Sequence, residues 1–337
     1  MTGFAILGPG SVANFHKIAI EANADRGAHL VAMGHYDPEK FNAIEGEYGV
    51  PCLLYNDLLN NPDVDVVSIC TPSGQHAAQA IACAQAGKHV LVEKPMALSL
   101  DSADAMIEAC EKAGVKMGVV FQRRAEPLFK RIHTAIQSGE IGTLTLGVVS
   151  MPYYRAQSYF DQACWRGTWA LDGGGVLMNQ GIHLVDLLLW YMGKPIQVFA
   201  QADTLHRNIE VEDTLVATLR FENGGLATIT ATTTAAPGFS HRLEVYGTQG
   251  GIQVEGEDLK QWMSVNGKEI KPDQISKSST LKGSGGDPRA IPVSGHIGIF
   301  ADFIDSIEID KDPMINGIEG RRSLSVVLDI YRATEHG

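Results

Sequence analysis

The stretch Phe4-Ala5-Ile6-Leu7-Gly8-Pro9-Gly10-Ser11-Val12-Ala13 decides the fold. Its apolar start reads as a short buried strand. Gly8 to Ala13 then spell G-x-G-x-x-A, and a helical stretch runs on to about residue 24. The spacing has a physical basis. Gly8 permits a tight turn, Gly10 lets the backbone approach a pyrophosphate, and Ala13 lets helix and strand pack closely. The helix start offers N–H groups to the phosphates. Gly8, Gly10, Ser11, Val12 and Ala13 are therefore candidate dinucleotide-binding residues. Alone, such a motif says little; placed between strand and helix, it predicts nucleotide binding.

Working outward, strands are expected at 30–33, 64–69, 89–92 and 115–120, and helices at 38–47, 76–86 and 99–113. Ser99 suits a helix N-cap and Gly114 a stop. The alternation predicts an α/β protein whose N-terminal part is a Rossmann doubly wound parallel sheet. Ligands bind at the carboxyl edge of such sheets. Thr71-Pro72 closes one strand at that edge, with His76 just beyond. Another strand, His89-Val90-Leu91-Val92, runs straight into Glu93-Lys94-Pro95. Pro95 has no N–H for the ladder, so Lys94 should stand at a strand end. In isolation Lys94 and His76 would both read as surface residues; the glycine-rich turn upstream gives them another meaning. An acid ending strand two would bind the adenosine ribose, and an arginine there would accept a 2′-phosphate. Gly34-His35-Tyr36-Asp37 has His35 where the acid is expected. The reading leans to NAD over NADP.

The 337 residues are enough for two domains. A net charge of −12 argues against a nucleic-acid or anionic-membrane surface, but leaves room for an anionic ligand held locally. Cys52, Cys70, Cys83, Cys110 and Cys164 show no C-x-x-C spacing, which fits reduced thiols in a cytoplasmic protein. No secretory leader is expected ahead of the first strand, and no apolar run is long enough to cross a bilayer.

The expected domains are 1–122, dinucleotide-binding, and 123–337, substrate-binding and oligomerising. The second reads as α+β with a large, mostly antiparallel open sheet. A helix is expected at 127–138 and a strand at 144–151, then a loop from Tyr153-Tyr154-Arg155 to Trp165-Arg166. Asp172-Gly173-Gly174-Gly175 precedes a helix at 176–192. On it Asn179, His183 and Asp186 recur at helical spacing and share a face, while Val185, Leu188 and Met192 form an apolar one. A histidine on such a helix is ordinarily structural, but the glycines let another body approach its start. Arg155 and Arg166 could bind an anionic group, or serve only in surface ion pairs. Later, 214–221 alternates, with Leu215, Ala217, Leu219 and Phe221 on one face, and Asn223-Gly224 signals a hairpin. Strands at 226–233, 241–246 and 251–254 follow, with Thr228, Thr230 and Thr232 sharing a face. Residues 277–292 read as a mobile Ser/Gly-rich loop, and 296–307 and 318–334 as helices.

The set Gly8 to Ala13, Thr71-Pro72-Ser73-Gly74-Gln75-His76, Glu93-Lys94-Pro95, Trp165-Arg166 and Gly173-Gly174-Gly175 to His183 resembles the Gfo/Idh/MocA oxidoreductase family. The resemblance implies an NAD- or NADP-dependent enzyme that needs no metal and acts on a hydroxyl of a sugar, cyclitol or sugar nucleotide. It implies cofactor contacts from the Gly8–Ala13 turn, His35, Thr71, Pro72, His76, Glu93, Lys94 and Gln122. Lys94 and His183 would do the proton chemistry, with Asn179 beside them in the place of a usual carboxylate. Tyr154, Arg155, Trp165, Arg166, Asn179 and His183 would meet the substrate. Within the family the pattern looks most like members acting on nucleotide-linked sugars, among them UDP-N-acetylglucosaminuronate 3-dehydrogenases. Homodimers or homotetramers through the C-terminal sheet are expected. Two other readings stay open: a redox-assisted NAD-dependent glycosidase and a non-catalytic dinucleotide-sensing regulator.

Overall fold

β1 (Thr2–Leu7) is buried along its whole length, as a strand covered on both faces must be. The structure is a computed structural model and describes residues 1–267 and 292–334. After β1 come α1 (Ala13–Ala22), β2 (Ala28–Gly34), α2 (Phe41–Tyr48), β3 (Cys52–Leu53) and α3 (Tyr55–Asn60). β4 (Val66–Ile69), α4 (His76–Gln85), β5 (His89–Glu93), α5 (Leu100–Ala113) and β6 (Met117–Val120) complete the alternation. The sheet order is β3-β2-β1-β4-β5-β6, and every pairing is parallel. The order reverses between β1 and β4, so a crevice opens beyond their carboxyl ends. The expected Rossmann sheet is present. Ser99 caps α5 by accepting the Ser102 N–H at 3.1 Å, and Gly114 follows its end, as read from the sequence. β3 and α3 were not expected.

The chain divides into two units, Met1–Ala125 with Val293–Leu324 and Glu126–Pro292 with Ser325–Gly337. The second begins with α6 (Pro127–Gln137), β7 (Leu144–Pro152) and α7 (Gln157–Asp161). A π-helical turn, Val176–Gly181, runs into α8 (Ile182–Met192). Then follow β8 (Pro195–Asp203), β9 (Thr214–Phe221), β10 (Leu226–Thr232), β11 (Arg242–Gly247), β12 (Gly250–Glu255) and β13 (Asp258–Ser264). They form a seven-stranded sheet, β13-β12-β11-β7-β10-β9-β8, antiparallel except where β10 meets β7. The alternation in β9 is as read: Leu215, Ala217, Leu219 and Phe221 are buried while Val216, Thr218 and Arg220 are exposed. On β10, Ala227, Ile229 and Ala231 turn inward and the three threonines share the other face.

α8 departs from expectation. It is not amphipathic: every residue except His183 and Trp190 is buried. A helix apolar all round belongs inside a protein, and here the sheet and α6 contribute to its cover.

Two further helices are α9 (Ser294–Glu308) and α10 (Gly317–Thr334). α9 and the start of α10 belong to the first unit. α9 packs on α1, β6 and the turn Gln122–Ala125. Its Phe300 lies 5.5 Å from Phe4, ring centre to ring centre. Residues 277–291 of the expected mobile loop lie outside the described residues. Among the described residues, no helix is long and apolar enough to cross a membrane.

Candidate active site

Two groups of residues emerge, one in each unit. In the first, β1 ends on Gly8, whose φ of +95° only glycine adopts readily. A Cβ there would meet the Cys70 carbonyl oxygen at 3.0 Å. At Gly10 the nearest atom to an added Cβ is that same oxygen at 3.7 Å, so a methyl group would occupy open space in the cradle. Ala13 N–H donates back to Gly10 at 3.0 Å and closes the turn. Ser11 is exposed, Val12 half-buried and Ala13 fully buried. No side chain caps α1, and its first turn carries no acid. The first amides of a helix have no partner within it, so this end suits a phosphate group.

The neighbouring strand ends complete this group. His35 follows β2 and stacks on Tyr36, 4.6 Å between ring centres. The Asp37 carboxylate accepts the Glu39 N–H at 3.1 Å, capping the turn Pro38–Lys40. After β4, Thr71 Oγ1 donates to Gln79 at 2.6 Å, and Pro72 leads to His76. His76 ring nitrogens face two carbonyls, Pro95 at 2.8 Å and Thr71 at 2.9 Å. It therefore ties the end of β4 to the turn after β5. Burial pushes its pKa down, against the pull of those carbonyls. Gln122, beyond β6, is buried, and its Oε1 has no hydrogen-bond partner. A glycine cradle, an uncapped helix and an unmet acceptor are what a dinucleotide requires, and these residues fit it.

Lys94 follows β5 and is half-buried. Glu93 beside it turns inward: Oε2 accepts the Lys94 N–H at 3.1 Å, and Oε1 lies 2.9 Å from His16 Nε2. The other His16 nitrogen is 2.7 Å from Ser68 Oγ and 3.2 Å from Cys70 Sγ. Burial alone would raise the Glu93 pKa, but the bond and field of His16, with Lys94 and His296, hold it below the usual carboxylate range. Burial and the fields of His16 and Lys94 push His296 down to about 3. His16, Glu93 and His296 are the residue types that bind metals, and their ligand atoms lie within 4.8 Å of one another. The direct His16–Glu93 bond already joins two of them. The sequence reading missed His16, whose helix position carries no motif.

In the second unit, Arg155 Nη1 donates to the Tyr154 carbonyl at 2.8 Å, and the Arg155 guanidinium lies 5.6 Å from the Tyr153 ring centre. Arg166 sits 4.2 Å from the Tyr159 ring centre and 4.7 Å from that of Trp165, and donates to the Tyr159 hydroxyl. Stacking and a fixed fork preorganise a guanidinium for a planar anion. Arg166 also lines a recess of about 280 Å³ with Phe160, Asp161, Cys164, Asn208 and Glu210.

Asn179 sits in the π-helical turn and His183 in the first turn of α8, both half-buried. Asn179 Nδ2 donates to Asp172 at 2.6 Å, and Asp172 also accepts the Gly167 N–H at 2.9 Å. Glu212 holds the helix start from beneath. It accepts Gly175 N–H at 2.8 Å, Leu177 N–H at 3.0 Å and the Tyr331 hydroxyl at 2.9 Å. Burial pushes Glu212 up to about 6 despite these bonds. Asp172, Glu212 and Tyr331 were not singled out from the sequence. Only the Asp172-Gly-Gly-Gly string hinted at the first.

Residues 2–121 match the family described as "Oxidoreductase family, NAD-binding Rossmann fold", and residues 129–253 match "GFO/IDH/MocA C-terminal domain". The chain belongs to the Gfo/Idh/MocA oxidoreductase family. It is 31% identical to myo-inositol 2-dehydrogenase of Thermotoga maritima over 73% of each chain. It is 28% identical to 1,5-anhydro-D-fructose reductase of Ensifer adhaerens over 100% of this chain and 97% of that one. Among solved structures, the WlbA dehydrogenase from Bordetella pertussis, in complex with NADH and UDP-GlcNAcA, is similar at a TM-score of 0.86. It is 34% identical, covering 99% of this chain and 96% of that one.

Proposed function

We propose that the protein transfers a hydride between a nicotinamide cofactor and a hydroxyl-bearing carbon of a sugar or cyclitol, most closely a nucleotide-linked sugar acid. One observation carries the reading. Lys94 stands at the carboxyl edge of the same parallel sheet that bears the open Gly8–Ala13 cradle. The nucleotide-linked class is supported by the 34% identical relative whose complex contains NADH and UDP-GlcNAcA.

NAD, when bound, supplies the redox chemistry. Gly8, Gly10, Ser11, Val12 and Ala13 would hold its pyrophosphate, with Thr71, Pro72 and His76 beside it and His35 near the ribose. The Gln122 amide would meet a donor at the nicotinamide end. Hydride loss from a carbinol needs proton loss from its oxygen. Lys94 is assigned to hydrogen-bond that oxygen, and His183 to take or return the proton. Asn179 is assigned to a substrate hydroxyl, and Tyr154, Arg155, Trp165 and Arg166 to the rest of the substrate. Glu93 belongs to this group through its bond to the Lys94 backbone. NAD is preferred over NADP, since no arginine follows β2 before Asp37.

The domain roles proposed are dinucleotide binding for 1–122 and substrate binding with oligomerisation for 123–337, with Val293–Leu324 of that span packed into the first unit. A homodimer or homotetramer through the outer face of the seven-stranded sheet is supported by exposed Phe199, Val216 and Leu226. A cytoplasmic setting is supported by five cysteines outside any disulfide.

A panel of sugars, cyclitols and sugar nucleotides, assayed with NAD and NADP in parallel, tests the reading through reduced-nicotinamide absorbance. The expected result is cofactor reduction, strongest with a UDP-sugar acid and NAD. Cleaved product without net cofactor reduction would mark the glycosidase, and cofactor binding with no conversion the regulator.

A further inference from the structure

We propose that Asp172 is a positioning residue: it fixes which way round the Asn179 amide points and ties the Trp165–Gly167 segment to the helix that carries His183. The inference rests on the hydride-transfer reading. Asp172 is 3% exposed and lies just before the glycine run. Oδ1 accepts the Asn179 Nδ2–H at 2.6 Å, and Oδ2 accepts the Gly167 N–H at 2.9 Å. Its own N–H donates to the Thr168 carbonyl at 3.1 Å, so the segment is held at both ends.

An ionised carboxylate only accepts hydrogen bonds, and an amide has one accepting and one donating side. Asp172 therefore selects the orientation with NH₂ toward itself and turns the amide oxygen away. Gln180 Nε2 reaches that oxygen at 3.1 Å, consistent with its being an acceptor. An amide oxygen turned this way presents acceptor lone pairs, the polarity that a donor such as a sugar hydroxyl meets. The short, charge-assisted bond makes the reversed amide unfavourable. The same carboxylate sets Gly167, and with it the turn that holds Arg166 over Tyr159 and Trp165. One side chain thus sets two proposed substrate contacts, an amide acceptor and a guanidinium.

The test is a cycle of Asp172→Asn, Asn179→Asp and the double exchange, read as kcat and KM across pH, with NADH affinity as a check on the first unit. In Asp172→Asn either amide can turn, so kcat/KM should fall roughly tenfold to a hundredfold, mainly through KM. NADH affinity should stay unchanged. Asn179→Asp sets two carboxylates face to face, and such a pair shares one proton. A new ionisation should then appear, with activity falling as pH rises through it. The double exchange restores one donor opposite one carboxylate. It should remove that ionisation and recover kcat/KM above either single variant. Wild-type kcat/KM in Asp172→Asn, or a double variant no better than the worse single one, would overturn the inference. A wild type that converts no substrate would overturn the hydride-transfer reading and this inference with it.

Discussion

The start of α1 and the loops of the second unit treat backbone amides in opposite ways. At the carboxyl edge of the first sheet, α1 begins without a side-chain cap and without an acid in its first turn. In the second unit, comparable amides are consumed by the protein's own carboxylates. Asp172 takes Gly167, Glu212 takes Gly175 and Leu177, and Asp213 takes Leu205, His206 and Arg207 at 2.7–3.0 Å. Three backbone N–H groups outweigh burial and hold the Asp213 pKa down. An amide cluster left open attracts an external anion; one filled internally becomes a rigid platform. The first region is thus suited to a phosphorylated cofactor. The second holds in place the aromatic and cationic side chains proposed to meet the substrate. The net charge of −12 does not conflict with anionic ligands, because the attraction is local.

The largest effect should come from the residue at the edge of the open region. Lys94→Ala should lower turnover roughly a thousandfold while leaving NAD affinity near wild type, measured by initial rates and calorimetry. Next is the loss of an internal anion. Glu212→Ala leaves two buried N–H groups and the Tyr331 hydroxyl without their acceptor, which should cost about 4 kcal/mol. Thermal unfolding reads this directly, and an unchanged midpoint would break the comparison.

A smaller effect concerns pH. Glu212 is raised from its ordinary 4.5 to about 6 in the folded protein, so folding disfavours its anion. The associated stability is fully present below 4.5 and is lost as pH rises through about 6. The gap corresponds to roughly 2 kcal/mol. Glu212→Gln should flatten that slope. The smallest effect makes the first region resemble the second. Ser11→Asp would place an anion at the start of α1, stabilise the ligand-free protein by about 0.5 kcal/mol and weaken NAD binding roughly tenfold. Unchanged affinity would show that the cradle is not where the pyrophosphate lies.

The first sheet was legible because its central strands are continuous apolar runs and its glycines sit at forced turns. Ala13, Ser99, Thr71 and Lys94 stand where local chemistry put them. β3 escaped because two residues carry no periodicity. The π-helical turn escaped because Val176 to Met192 reads as one continuous helix, and nothing in its pattern marks a wider first turn. His16, Glu212 and Tyr331 escaped for another reason. The His16–Glu93 partners are 77 residues apart, and Tyr331–Glu212 are 119 apart. Such buried polar pairs obey hydrogen-bond satisfaction, which is a property of the folded core and leaves no spacing in the chain. The same holds for α9: its pattern says helix, but not that it returns to β6 and α1.

Isotope tracing tests hydride transfer most directly. The best substrate from the panel would be prepared with deuterium on the carbon bearing the oxidised hydroxyl, and the reduced cofactor examined by NMR. Direct hydride transfer places deuterium at nicotinamide C4, with none released to water. Deuterium in the solvent, or retained on an unchanged substrate carbon while product forms, would contradict it.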